Sequence, residues 1–176
     1  GETLGAATST KPTSAAISAK ANPDSLLARF LSRQMRGVEE IVFAARALNP
    51  TDGHWYANFG YYSHDPDRKA YAKGTKLYRL NLRTRELTVL LKDETGGVRD
   101  PQVSYDGKKI LFSYRPGGAE QYHLCEINSD GTGLKQITSG PFDDIEPSYL
   151  PDGGIIFVSS RCKRWVNCWL TQVAVL

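Results

Sequence analysis

Between residues 76 and 91 apolar and polar side chains alternate in two runs, Lys76-Leu77-Tyr78-Arg79-Leu80-Asn81-Leu82 and Glu86-Leu87-Thr88-Val89-Leu90-Leu91. A period of two puts alternate side chains on opposite faces of a strand, and the intervening Arg83-Thr84-Arg85 closes the pair into a hairpin. The same period predicts a strand over Glu40 to Arg46, and four more at about 102–105, 109–115, 122–128 and 134–138. A last group follows at about 147–150, 154–160 and 169–176. Asp106-Gly107 and Asp130-Gly131-Thr132-Gly133 supply the positive φ that tight turns between such strands require.

Two of these groups say the same thing. Asp100-Pro101-Gln102-Val103-Ser104-Tyr105-Asp106-Gly107 returns as Glu146-Pro147-Ser148-Tyr149-Leu150-Pro151-Asp152-Gly153. Pro101 and Pro147, Asp106 and Asp152, Ile110 and Ile156, Ser113 and Ser159, and Arg115 and Arg161 are each 46 positions apart. Strand-turn-strand units repeating at about 40–50 residues mark a β-propeller, with four antiparallel strands per blade. The expected fold is therefore all-β, a partial propeller of about three four-stranded blades preceded by one helix. The units are an incomplete blade over 38–99, a complete one over 100–145 and an incomplete one over 146–176.

Residues 1–21 are rich in Ala, Ser and Thr without a hydrophobic period, the composition of a disordered linker. A helix over 22–37 is expected next. Asn22 is placed to cap it, Pro23 and Asp24 suit its first turn, and Gly37 suits its end. Its Leu26, Leu27, Phe30, Leu31 stripe should pack on the sheets. The stretch 47–74 has no strand period but holds Trp55, Tyr56, Phe59, Tyr61, Tyr62 and Tyr71, so it reads as an ordered aromatic insertion.

Composition changes this picture little. The 176 residues carry a net charge of +3, with 22 basic side chains dispersed among 19 acidic ones, which gives no basic track for nucleic acid. No apolar run approaches the roughly 18–20 residues that cross a bilayer as a helix. The chain starts at Gly1 and stops in the apolar run Val173 to Leu176, and it reads as a piece of a longer protein.

The unit of acidic residue, Pro, then Asp-Gly, then Ile-x-Phe-x-Ser-x-Arg resembles the TolB-type propeller repeat, as does Asn128-Ser129-Asp130-Gly131-Thr132-Gly133 with Gln136-Ile137-Thr138. Residues 54–62, 97–102 and 162–169 further resemble the propeller of exported bacterial proteins similar to the hydrazine synthase alpha subunit. The resemblance covers about Val38 to Leu176. It implies a ring of about six blades and a periplasmic or extracellular location. It also implies a multihaem relative. Haem c is attached through Cys-x-x-Cys-His, which the three cysteines Cys125, Cys162 and Cys168 do not form, so no haem residue transfers and haem is expected only in flanking segments.

Candidate residues follow from the repeat. Asp100 and Glu146, placed just before the innermost strand, read either as carboxylates lining a ligand or cation site at the channel mouth or as acceptors for loop N–H groups. Arg115 and Arg161 are equivalent and expected to pair with those acids. Trp55, Tyr56 and Trp165 could floor a binding groove or pack the insertion onto the blades. In an exported protein Cys162 and Cys168 suit a disulfide, with buried thiols and metal ligation as the other readings. Cys125 reads as a core filler, and His54, His64 and His123 are isolated. No serine-nucleophile elbow, phosphate loop or His-Glu-x-x-His occurs. These readings point to a non-catalytic scaffold binding a protein partner or an adjacent domain. The alternative is a segment of a larger enzyme, either a multihaem oxidoreductase or a propeller-capped serine peptidase.

Overall fold

The computed structural model describes residues 15–16, 25–33, 35–47, 61–62, 65–69, 73–165 and 172–175. In chain order the elements are β1 (Ala15–Ala16), α1 (Leu26–Ser32), β2 (Glu40–Arg46), β3 (Tyr61–Tyr62), β4 (Asp65–Lys69), β5 (Thr75–Asn81) and β6 (Glu86–Asp93). Then come β7 (Gly97–Val103), β8 (Lys109–Arg115), β9 (His123–Asn128), β10 (Lys135–Gln136), β11 (Asp144–Tyr149), β12 (Ile155–Trp165) and β13 (Gln172–Val175).

Every sheet is antiparallel. The first has the order β1-β6-β5-β2, the second β10-β9-β8-β7 and the third β11-β12-β13, while β3 and β4 form a separate hairpin within the 47–74 stretch. In the second sheet the strands follow one another from one edge to the other, as in a propeller blade. The edge strands β2, β7 and β11 pack on one another in that order, so the first strands of three successive units adjoin. This is a partial propeller.

β8 shows why the pattern reads as it does. Ile110, Phe112 and Tyr114 share the core with Leu77, Leu90 and Leu91 of the first sheet, while the alternating Leu111 and Ser113 are buried on the opposite face. A blade between two others is covered on both sides, so Ile110-Leu111-Phe112 is an unbroken apolar run and every residue from Ile110 to Arg115 is buried. Each fully buried aliphatic or aromatic side chain there contributes on the order of 1.5–3 kcal/mol. The turns have the expected chemistry: Gly107 and Gly153 stand at φ 72° and 88°, and the preceding aspartates accept the N–H of Lys108 at 3.1 Å and of Gly154 at 2.9 Å.

Four expectations change. The helix starts at Leu26 with Ser25 as its cap, whose hydroxyl accepts the Ala28 N–H at 3.2 Å; Asn22, Pro23 and Asp24 lie outside the described residues. A serine one turn nearer the apolar stripe satisfies the helix donors directly. None of α1 is buried, and Leu26 is 82% exposed, so the stripe does not pack on the sheets. Ala15–Ala16, inside the stretch read as linker, pair with Leu87 and Glu86, so the first blade draws its outer strand from before the helix. Finally, β7 and β11 start at Gly97 and Asp144, several residues earlier than the period indicated, because Arg99-Asp100-Pro101 and Glu146-Pro147 interrupt the apolar alternation there.

Candidate functional site

The innermost strands carry the chemistry-bearing groups. Asp100 and Glu146 lie within β7 and β11, not before them, at the same irregularity in both ladders. Three steps from Arg99 to Gln102 match two from Ser113 to Leu111, and three from Ile145 to Ser148 match two from Val158 to Ile156. Each extra residue is a bulge, and the acids hold φ of 55° and 52° there. For a residue with a Cβ this left-handed backbone costs roughly 1–2 kcal/mol. The following Pro101 and Pro147 have no N–H to leave unpaired at the break.

One guanidinium holds the two bulges together. Arg99, 2% exposed, donates from Nε to Asp100 Oδ2 at 2.5 Å and from Nη2 to Glu146 Oε1 at 3.2 Å. The Glu146 N–H donates to the same Asp100 oxygen at 3.2 Å. The arginine between the acids is thus Arg99. Arg161 goes instead to Asp144, Nη2 to Oδ2 at 2.9 Å, and Arg115 donates to the carbonyls of Ala119 at 3.2 Å and Thr95 at 3.4 Å. Both arginines lie beyond the residues that face the bulges, Leu111 to Ser113 and Ile156 to Val158, so equivalence in the repeat did not translate into contact.

A second polar cluster joins the second and third blades. Asp144 is buried, accepts from Ser159 Oγ at 2.7 Å, and has His123 Nδ1 at 3.9 Å from its other oxygen. Burial alone would raise its pKa, but the polar groups of His123, Ser159 and Thr138 around it and the charge of Arg161 outweigh burial and hold the carboxyl below its ordinary value. Asp143 accepts the Tyr122 N–H at 2.8 Å. Further out, Glu126 takes Lys109 Nζ at 2.6 Å and the Tyr149 hydroxyl at 2.9 Å, and its pKa is lowered because those bonds outweigh burial. Asp93 accepts from Gly96, Thr95, Gly117 and the Tyr114 hydroxyl, and is lowered against burial in the same way.

Neither Arg99 nor Asp144 is visible in the repeat: 46 positions away stand Ile145 and Val98. A junction between unlike neighbours needs one donor and one acceptor, so the residues that make it break the repeat. Trp55, Tyr56, His54, His64 and Cys168 lie outside the described residues, and with Cys168 goes the Cys162–Cys168 pairing. Trp165 ends β12. Cys125 is buried in β9, where burial pushes its thiol up to about 12. Among the described residues no group of three or more His, Cys, Asp or Glu is placed to hold a metal, and no helix is long and apolar enough to cross a membrane. The three cysteines do not form the Cys-x-x-Cys-His that covalent haem attachment needs.

Comparison with known proteins adds one relative in sequence. The chain is similar to the hydrazine synthase subunit alpha of Kuenenia stuttgartiensis. The two are 28% identical over 127 residues, 71% of this chain and 14% of that protein, so the chain spans about one seventh of the relative's length. The solved Kuenenia stuttgartiensis hydrazine synthase superposes with a TM-score of 0.46 at 28% identity, covering 63% of this chain and 13% of the other. An oligogalacturonate lyase in complex with manganese gives 0.47 at 20% identity, covering 69% and 32%. No protein-family model matches the chain. The sequence similarity agrees with the blades: this is a propeller-like domain resembling part of hydrazine synthase.

Proposed function

We propose that the chain is a TolB-like propeller module of a periplasmic or extracellular protein that binds a protein partner or an adjoining domain and performs no chemistry itself. The state of the carboxylates at the blade junctions carries this reading. Asp93, Glu126 and Asp144 are each held below the ordinary carboxylate range by bonds to neighbouring strands and turns. A general acid or base needs a pKa near the working pH and a lone pair facing substrate. These groups have the opposite properties of structural acceptors. Rigid blades that present variable loops suit binding.

A second reading is favoured by the similarity to hydrazine synthase subunit alpha: the module belongs to a longer, haem-bearing oxidoreductase whose reacting groups lie on other segments. In both readings this chain's residues serve to position neighbours.

A lysine-reactive cross-linker applied to the source cells tests the proposal. Cross-links from exposed lysines such as Lys108 and Lys163 to another chain or domain are expected, and cross-links confined to the propeller would overturn it. A Soret band from the purified chain would overturn the statement that it has no chemistry of its own.

A further inference from the structure

β12 outruns its repeat partner. β8 ends at Arg115, whereas the equivalent Arg161 is followed by four more strand residues, up to Trp165. The overrun pairs with β13 through Arg164↔Val173 and Trp165↔Gln172, so the third sheet extends a two-stranded ribbon beyond the length of the second. Between Ser159↔Val175 and Arg164↔Val173, five steps along β12 match two along β13, and the chain bows away from its partner there.

Three of the four residues from Arg161 to Arg164 are cations, and Arg161, Lys163 and Arg164 are all exposed. Lys163 holds φ 52° in the bow. Arg161 and Lys163 both lie over the Phe142 ring, at 5.8 and 5.7 Å, and Arg161 also over Phe157 at 5.5 Å. A ring face fixes a cation electrostatically without using its N–H donors. Lys163 is thereby oriented while its three donors stay available to another molecule.

We propose that this bowed basic ribbon receives an acidic protein surface, whose carboxylates pair with Lys163 and Arg164. The inference rests on the binding-module reading and names the surface and partner chemistry for it. Nucleic acid is the less suitable polyanion. Its phosphates need a long basic track, and here the cations end within four residues and Arg161 is already paired with the Asp144 carboxylate. A protein surface can match so short a patch, gaining mostly in encounter rate.

The test is fluorescence anisotropy of fluorescein-labelled octaglutamate, and of an oligothymidylate of equal charge, titrated with the full chain at low salt. Octaglutamate should bind saturably and more tightly than the oligothymidylate. Lys163→Glu with Arg164→Glu should weaken it by about tenfold, and Lys163→Gln with Arg164→Gln by less. Lys108→Glu, in the β7–β8 turn of the second blade and 80% exposed, should leave it unchanged. Absence of saturable binding, equal loss in the Lys108 variant, or tighter oligothymidylate binding would each overturn the proposal. If cells show partner cross-links that survive the ribbon substitutions, the ribbon is wrong and the module reading stands; absence of any partner cross-link is the failure of the module reading itself.

Discussion

Glu146 donates its backbone N–H to the carboxylate of Asp100, the residue 46 positions before it and its own counterpart in the repeat. The sequence period is thus closed by a direct bond between its two copies, and Arg99 seals it from beneath with one nitrogen on each acid. Successive blades are locked where their inner strands bulge.

Replacing Arg99 by Met should cost about 2–3 kcal/mol. Two charge-assisted bonds are lost, but the acids are partly exposed and rehydrate, so the loss falls below that of a wholly buried pair. Asp100→Gly breaks the same pairing yet relieves the strained φ of 55°, and should cost less. Urea unfolding of the two variants measures both, and an Arg99→Met loss under about 0.5 kcal/mol would show that the lock is ornamental.

Acid should loosen the junction of the second and third blades. The folded-state pKa of Asp144 lies below its unfolded value, so its contribution is complete above that value, about 3.9, and disappears as pH falls through the folded value. Asp144→Asn should lower stability at pH 7 by about 2 kcal/mol. The gap from the parent should close below pH ~4. A gap that stays constant from pH 7 to pH 2 in urea titrations followed by circular dichroism would contradict the assignment.

A methyl group at Gly97 would stand 2.1 Å from the Tyr122 hydroxyl and 2.8 Å from the ring carbon that bears it. Gly97→Ala should therefore cost about 1–3 kcal/mol by overpacking. Adding Tyr122→Phe removes the nearest atom and should restore part of that loss, a coupling of at least about 0.5 kcal/mol in a double-mutant cycle. Additive losses would mean the two residues do not meet.

Ile110 and Ile156 hold the same place in the repeat, but the first is 0% and the second 43% exposed. Ile110→Ala should cost about 2–5 kcal/mol by leaving a cavity between two blades, and Ile156→Ala about 1 kcal/mol or less. Equal losses in thermal or urea unfolding would show that the third blade is as fully covered as the second.

Strand alternation, Asp-Gly turns and the 46-residue offset were legible in the chain because each depends on neighbours in sequence or on a duplicated local pattern. They determine β5, β6, β8 and β9 nearly to the residue, and with them the antiparallel blade, while β7 begins earlier than they indicate. The tertiary structure alone decided which charges meet. Arg99 and Asp144 have apolar counterparts at their repeat positions, and the left-handed bulges at Asp100 and Glu146 are imposed by packing one inner strand on the next. So were the pairing of Ala15–Ala16 with β6 and the exposure of the α1 stripe, since burial depends on which surface happens to arrive, and a local period carries no record of that.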